Sequence, residues 1–412
     1  MKFYKHLIFG VLACVSVVCA NAQNINSPYS RYGYGMLNDN ATSAQRAMGG
    51  VGYAMNSGRQ INVMNPASYA AIDSLTFLFD LGLDLNNLWT SEGGQKGKKL
   101  GGGLDYLTLQ VPVTKYGGAS VGFLPYSQVG YSFGDAIDNG RAAYQGSGGI
   151  SQLYLGLAVR PFKGFSVGLN ISYMFGTITN DNFSYTSSGS VGLFQRVIDV
   201  QDYHLEIGAQ YSLQVNPKNR LTLGVVFAPG KSFHGKSYGV QFDSSNEVAP
   251  DTIGYLSMKG NYTEPFTLGG GLNWQWNDKL TVEADAMMQP WSKAKYAAID
   301  GTGNYRFVNR YRASVGAQYC VNPRGTYVQR IQYRAGFSAL RDYQLIQGNS
   351  LREYGIHAGF GFPVPAGKTM INLSMAYKWR NSVPHSLIKE QYFFVTLGVN
   401  FNELWFWKNK IR

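Results

Sequence analysis

Most of the chain after residue 74 alternates apolar and polar positions. From Leu75 to Asn86, apolar side chains fill nearly every second position, with polar or small residues between them. Successive side chains of a β-strand point to opposite faces, so this pattern predicts a strand with one apolar and one polar face. Similar segments recur as far as Phe401, which makes about fourteen strands, an even number as single-chain bacterial barrels have.

The predicted connectors alternate between long and short. Outer-membrane barrels have long extracellular loops and short periplasmic turns, whereas a soluble sandwich has no reason to keep this parity. No apolar run in the mature chain approaches the roughly 18 residues of a membrane helix. We therefore predict an all-β protein, a membrane-spanning antiparallel barrel over residues 74–402, with a periplasmic tail at 403–412 that could alternatively fold into the barrel mouth. The long connectors are expected near 90–103, 135–149, 178–199, 229–263, 291–306, 343–350 and 381–390.

One stretch breaks this pattern. Residues 41–74 are rich in Gly, Ala and Asn, lack sustained alternation, and contain Asn65-Pro66-Ala67 shortly before the first strand. Such a segment has too little apolar surface to fold alone, so another part of the chain has to enclose and order it. On its own the triplet predicts a turn, because proline fixes its φ and disfavours helix in the preceding residue.

The layout of a small-residue segment, then Asn65-Pro66-Ala67-Ser68, then many amphipathic strands resembles the FadL-type outer-membrane transporters. That family carries long-chain fatty acids and other hydrophobic compounds, and the resemblance covers nearly the whole mature chain. It implies that residues 23–73 form an N-terminal plug inside the lumen, with Asn65, Pro66 and Ala67 as its motif. It also implies passive uptake of hydrophobic or amphipathic small molecules.

Pro125 interrupts the third predicted strand. Proline removes a donor from the ladder of a sheet, so the strand is expected to kink or lose its pairing there. A kink of this kind suits a lateral gap in the wall.

Charged residues are predicted on the inward faces of three neighbouring strands. Opposite charges on adjacent strands would meet across the lumen wall, and two interpretations stay open. One is a structural network that anchors the plug; the other is a selectivity surface or carboxylate-binding site for an anionic amphiphile. A register error of one residue would reverse the assignment. The residues are Glu283, Asp285, Arg310, Arg312, Arg330 and Arg334.

The N-terminus has the features of an export signal. Two lysines precede an apolar run, and Ala20-Asn21-Ala22 supplies a cleavage site, so residues 1–22 are expected to be removed and the protein to reach the outer membrane of a Gram-negative bacterium. A lipoprotein with Cys14 as the lipid-attachment site is the alternative. Cleavage leaves Cys320 as the sole thiol, which excludes an internal disulfide. It also leaves 34 of the 36 Lys and Arg against 24 Asp and Glu, a net charge of +10.

No enzymatic constellation stands out. The glycine runs at 49–52 and 101–103 do not lie between a strand and a helix, so they do not predict a dinucleotide site. The histidines lack metal-ligand spacing. Basic residues are scattered rather than clustered, which disfavours nucleic acid as a partner. We therefore expect no catalysis, metal or cofactor.

Two functions remain open. The first is the passive channel implied by the resemblance, with a hydrophobic small molecule as ligand. The second is a non-transporting barrel that serves as a subunit or docking platform of an outer-membrane secretion or assembly complex. Outer-membrane lipids and lipopolysaccharide are expected partners in both cases, and partner proteins in the second.

Overall fold

The structure is a computed structural model that describes residues 26–187, 189–243, 251–297, 306–365 and 367–405. These ranges do not include the predicted signal peptide with the alternative lipoprotein site. They also do not include residues 23–25 of the predicted plug or residues 406–412 of the predicted tail. Among the described residues, no helix combines the length and apolar character needed to cross a bilayer.

Most of the described chain is β-structure, in a closed antiparallel barrel of fourteen strands. This confirms the predicted fold class and strand number. The wall strands are β2 (Thr76–Glu92), β3 (Gln95–Thr114), β4 (Gly117–Ile137), β5 (Gly140–Phe162), β6 (Phe165–Thr186), β7 (Val191–Asn216), β8 (Asn219–Ala228), β13 (Thr267–Trp276), β14 (Leu280–Gln289), β15 (Arg310–Cys320), β16 (Gln332–Ile346), β17 (Asn349–Pro363), β18 (Met370–Val383) and β19 (Lys389–Leu404).

Five shorter strands, two short α-helices and short 3-10 helices at Pro28–Arg31, Pro66–Ala71 and Trp291–Lys293 make up the remaining secondary structure of the described residues. Helix α1 is Ser43–Arg46 and helix α2 is Tyr327–Arg330. The short strands are β1 (Met36–Leu37), β9 (Lys231–Ser232), β10 (Gly235–Asp243), β11 (Asp251–Ser257) and β12 (Thr263–Glu264).

The barrel closes between its last and first strands. Strand β19 pairs with β2 from Lys389 opposite Ser91 to Leu404 opposite Thr76. Strand β8 pairs directly with β13, so the residues between them form an excursion from the wall. In lipid every backbone polar group must be paired inside the protein, and closure removes the free edges that would otherwise expose such groups.

Side chains along the wall strands alternate as predicted. On β5, Leu153, Leu155, Leu157 and Val159 are each at least half exposed, whereas intervening Gln152 is only 3% exposed. A contiguous exposed apolar surface is unfavourable in water and favourable against acyl chains. The apolar face therefore points outward, to lipid, and the polar face points into the lumen.

The predicted connectors have the correct parity, but several of them are mostly strand. The segments near 90–103, 135–149 and 178–199 continue β2 to β7 as antiparallel hairpins, interrupted only at 93–94, at 138–139 and between Thr186 and Val191. The segment near 343–350 likewise belongs to β16 and β17, except at 347–348. Alternation of apolar residues fades there because hairpins projecting beyond the bilayer do not need a lipid-facing side. We call this end the upper rim; the opposite end, where β2 begins and β19 ends, is the lower rim.

The C-terminal boundary also differs slightly from the prediction. Strand β19 continues to Leu404, two residues past the expected end at Asn402. Trp405 then stacks on Phe77 of β2, with ring centroids 4.0 Å apart. Its backbone N–H donates to the Leu75 carbonyl at 3.2 Å. These contacts extend the pairing of β19 with β2 beyond the apolar–polar alternation from which the strand is predicted.

Replacing Leu155 with Arg tests the lipid-facing assignment. We expect Leu155→Arg, near the middle of the apolar band, to reduce the free energy of unfolding in lipid vesicles by about 2–4 kcal/mol. The matched variant Val215→Arg, outward-facing next to the lower-rim turn, should cost about 0–1 kcal/mol. Equal costs at the two depths, measured by denaturant titration, would contradict a bilayer around this face.

Candidate functional site

The barrel interior is the candidate site, because it is where the polar faces of all the strands converge. Residues 26–73, which we call the inner segment, pack against these faces and are largely buried. Besides β1 and α1, this segment contains 3-10 helices at Pro28–Arg31 and Pro66–Ala71. Its hydrogen bonds reach strands on all sides of the wall.

Asn65, Pro66 and Ala67 form the start of the second 3-10 helix. The Asn65 side chain accepts a hydrogen bond from the Ala67 N–H at 3.0 Å, while Pro66 occupies a position that needs no donor. The Asn65 amide also donates to the carbonyls of Tyr53, at 2.7 Å, and Ala209, at 3.3 Å. The triplet therefore forms a turn, as its residues predict, and that turn contacts β7.

Glycines of the wall allow this close approach. A Cβ at Gly208 would lie 2.0 Å from the Asn65 side-chain oxygen, and one at Gly168 would lie 2.4 Å from the Pro66 carbonyl carbon. On the other side of the lumen, a Cβ at Gly336 would lie 2.2 Å from the Met48 carbonyl carbon. A larger residue would collide with the backbone of the inner segment at Gly168 and Gly336, and with the Asn65 side chain at Gly208.

The inward carboxylates of β14 bind three consecutive amides of the inner segment. One Asp285 oxygen accepts from the N–H groups of Gly52, at 2.7 Å, and Tyr53, at 3.0 Å. A Glu283 oxygen accepts from the Ala54 N–H at 2.9 Å, and the other accepts from Asn273 at 2.7 Å. Bonds from backbone amides to carboxylates are among the stronger hydrogen bonds in proteins.

The inward arginines of β15 also bind the inner segment. Arg312 lies 3.0 Å from Asp39 and donates to the Gly49 carbonyl at 3.1 Å, while Arg310 lies 3.6 Å from both Asp39 and Asp342. Burial would raise the pKa of Asp39, but Arg312, Lys378, Arg310 and Arg46 together hold it below its usual value. Asp39 is therefore held as a carboxylate between these cations.

The expectation that the carboxylates of β14 pair with the arginines of β15 across the wall is therefore wrong. Within the described part of the chain, the ion pairs of Arg310 and Arg312 go to Asp39 and Asp342, not to Glu283 or Asp285. Alternation along a single strand predicts which side chains point inward but not the register between strands. In that register Arg312 lies opposite Met287, and Asp285 lies opposite Ser314.

Arg334 and Arg330 differ from the other four charges. Arg334 is buried on β16 and donates to Gln318 at 2.8 Å and Asn372 at 2.7 Å, both on the wall. Arg330 was predicted on the same strand but is the last residue of helix α2 at the lower rim. Thr326 and Gln329 form a capping box that starts this helix, and β16 begins only at Gln332.

A second buried charge cluster was missed by the sequence prediction. Arg380 bridges Glu353 and Glu390, the latter at 3.2 Å, and Lys378 lies 3.1 Å from Glu353. Ser27 of the inner segment donates to Glu390 at 2.6 Å. Alternation along β17 to β19 could have revealed these inward residues, since they lie between outward apolar positions.

Aromatic residues fill the lumen near the upper rim. Tyr34 of the inner segment has its ring 5.0 Å from that of Phe233 and 5.2 Å from that of Tyr296, and it is fully buried. The Tyr34 N–H donates to the Tyr343 hydroxyl at 3.0 Å. Several of these partners come from upper-rim connectors. Their contacts could not be predicted, because the connectors lack the apolar–polar alternation of the wall strands.

Pro125 lies where the pairing of β4 changes. Strands β3 and β4 pair only as far as Leu107 opposite Phe123, and β4 above this point pairs with β5 and with β1. The register with β5 shifts between Pro125 and Ser127. The inner segment therefore supplies, through Met36 and Leu37, a partner for β4 where β3 no longer does.

Two cavities inside the barrel are small and polar. One of about 80 Å³ is lined by Asp84, Asp105, Arg310, Glu353 and other charged residues. Another of about 10 Å³ is lined partly by Asn170, His204 and Glu206. A pocket for a drug-sized ligand usually measures about 300–1,000 Å³ and is mostly apolar.

The described residues contain no group of three or more His, Cys, Asp or Glu side chains arranged to hold a metal ion. His204 contacts Glu264, at 3.2 Å, and His234 contacts Asp202, at 3.2 Å, as separate pairs.

Comparison with known proteins gives a family and a fold likeness. A model of the BamG family matches residues 3–412, so the chain belongs to that family. No curated protein matched. The expected membership of a FadL-named family is therefore replaced by BamG, while the resemblance holds for the fold.

Solved hydrophobic-compound channels share this barrel. A Pseudomonas aeruginosa FadL homologue has a TM-score of 0.63 and 13% identity, covering 90% of this chain and 99% of that one. The Pseudomonas putida toluene transporter TodX has a TM-score of 0.61 and 15% identity, covering 89% and 99%. The Ralstonia pickettii toluene transporter TbuX has a TM-score of 0.57 and 15% identity, covering 88% and 98%. At these identities, the likeness shows the fold, a β-barrel of the outer-membrane type.

A methyl group at Gly336 should loosen the inner segment. We expect Gly336→Ala to cost about 1–3 kcal/mol through overpacking against Met48 and Gly49, and to speed hydrogen exchange of residues 44–52. The control is Gly270→Ala, where the new Cβ would meet only the Gly224 carbonyl, at 3.7 Å. Unchanged exchange in Gly336→Ala, or an equal change in the control, would contradict close packing at this site.

Proposed function

We propose that this protein is a non-transporting outer-membrane barrel that acts as a docking subunit of an outer-membrane assembly complex. The observation that carries the proposal is the filled interior, which buried charges occupy at mid-height and aromatic residues occupy near the upper rim. The inner segment is held by Glu283, Asp285, Arg310, Arg312 and Glu390, and described interior cavities measure about 80 Å³ and 10 Å³. The family designation, BamG, supports an assembly role.

The free-energy cost of opening the lumen supports the same function. A hydrophobic molecule crossing the lumen would have to displace the inner segment from buried carboxylates and guanidinium groups. Leaving one buried charge unpaired costs roughly 3–5 kcal/mol, and several would be left together. A barrel whose lumen is closed in this way still provides a rigid wall and two rims for protein contacts.

A passive channel for hydrophobic small molecules is the second candidate. The feature that favours it is the missing pairing between β3 and β4 above Leu107 and Phe123. A molecule could leave sideways there if β1 separated from β4. The hydrophobic-compound channels that share the fold give this candidate its substrate class.

Partner retention tests the docking proposal. Tagged protein extracted in a mild detergent should come out with one or more outer-membrane proteins in fixed stoichiometry. The same protein reconstituted alone into vesicles should take up labelled fatty acid or toluene no faster than empty vesicles. Uptake above that background, with no stoichiometric partner, would overturn the proposal in favour of the channel.

A disulfide lock between β1 and β4 tests the channel directly. Leu37 and Ser127 are opposite each other in the pairing, so Leu37→Cys with Ser127→Cys should tie the inner segment to β4. A channel that opens at this gap should lose uptake when the pair is oxidised and regain it on reduction. The docking subunit should keep its partners in both states, and the reduced form of the same variant is the matched control.

A further inference from the structure

The outward face near the upper rim carries a row of basic residues. Arg341 of β16 lies opposite Arg352 of β17, and Arg352 lies opposite Asn381 of β18. Arg380 pairs with Glu390, which places Asn381 level with Lys389 of β19. Lys389 pairs with Ser91, and Ser91 with Lys96 of β3. We call Arg341, Arg352, Lys389 and Lys96 the basic belt.

The belt residues point away from the charges of the lumen. All four are exposed, and none takes part in an ion pair within the described ranges. The adjacent acidic residues, Glu353 and Glu390, are buried on the inward face and engaged by Arg380. Like charges directly opposite on a sheet repel each other, so Arg341 and Arg352 would be stabilised by an anion between them.

Aromatic residues place the belt at the membrane surface. The next row of outward-facing residues lies two positions closer to the lower rim on each strand. In it Tyr354 lies opposite Trp379, Trp379 opposite Gln391, and Gln391 opposite Trp89. Tyrosine and tryptophan concentrate at the boundary between hydrocarbon and head groups. The belt is therefore at the height of lipid head groups, and the rim of long connectors faces outside in barrels of this type.

Apolar clefts lie beside the cations. A groove of about 800 Å³ is bounded by Arg341, Arg352, Leu268, Met288 and Tyr311. Its floor is low because one outward row of β13 to β16 consists of small residues, Gly270, Ala286, Ala313 and Ala339. A second cleft, of about 530 Å³, is bounded by Trp89, Tyr377, Lys96 and Lys389. Each cleft combines two cations with an apolar surface.

We propose that the basic belt binds a phosphorylated glycolipid of the outer leaflet, with its phosphates on the cations and its acyl chains in the clefts. Guanidinium groups bind phosphate through paired hydrogen bonds, which suits Arg341 and Arg352. The groove is large enough for acyl chains, which need only apolar contact. This site lies on the outer wall and does not depend on the function proposed for the interior.

Lipid retention by charge variants tests the site. Wild-type protein, extracted in mild detergent, should carry lipid A detectable by native mass spectrometry and should gain thermal stability when lipid A is added. Arg341→Gln with Arg352→Gln should weaken lipid A binding at least about ten-fold, the effect of losing one strong charge-assisted contact. The matched control, Lys163→Gln with Lys218→Gln, removes two exposed charges at lower-rim turns and should bind normally.

A steric variant separates the acyl contact from the charges. Ala313→Trp should fill the groove and weaken lipid A binding with both arginines intact, whereas Ala119→Trp, outward-facing on β4, should not. Heat-modifiable gel mobility checks that every variant is a folded barrel. Dephosphorylated lipid A and inorganic phosphate serve as separate probes, and each should bind much more weakly than lipid A.

Three results would overturn the proposal. They are equal lipid A binding by wild type and by the double arginine variant, equal stabilisation by the dephosphorylated lipid, and a groove occupied by a protein instead. The last would be seen as a protein adduct, in place of a lipid adduct, from a photo-crosslinker at position 313 in native membranes.

Discussion

The structure depends on the need to pair every backbone polar group that lies in the bilayer. An unpaired N–H or C=O in hydrocarbon costs several kcal/mol, so the wall must close, and β19 pairs with β2 along its whole length. The wall departs from regular pairing where β4 separates from β3 above Phe123. There the inner segment, through β1, supplies partners to β4. The first part of the chain therefore helps to complete the wall that encloses it.

Closing the sheet also determines what the interior must contain. The outward face is apolar, so the inward-facing polar and charged side chains converge on the lumen, beside clusters of buried aromatic and aliphatic residues. Asp285 and Glu283 accept hydrogen bonds from backbone amides of the inner segment, and Arg312 forms an ion pair with Asp39. Each part supplies hydrogen-bond or ion-pair partners for buried polar groups of the other. Wall and inner segment therefore form one packed unit.

The comparison with the solved channels separates fold from function. The same fourteen-stranded wall is shared with hydrophobic-compound channels at 13–15% identity, whereas the matching family model is BamG. Function depends on the groups that line a site rather than on the scaffold. In this chain the lumen is filled, with charged groups at mid-height and aromatic residues near the upper rim, while apolar clefts bordered by cations lie on the outer wall. The surfaces available for binding are therefore mainly outside.

The sequence by itself determined the strand number, the inward and outward faces and the parity of the connectors. These follow from alternation within a strand, a local property that needs no knowledge of neighbours. Tertiary structure alone decided which groups the charges meet, as when Asp285 binds Gly52 and Tyr53 more than 200 residues away. It also placed Arg330 in a capped helix rather than on β16, and made hairpins of predicted loops. Such outcomes depend on contacts between residues far apart in the sequence, and these contacts produce no local repeating pattern from which they could be predicted.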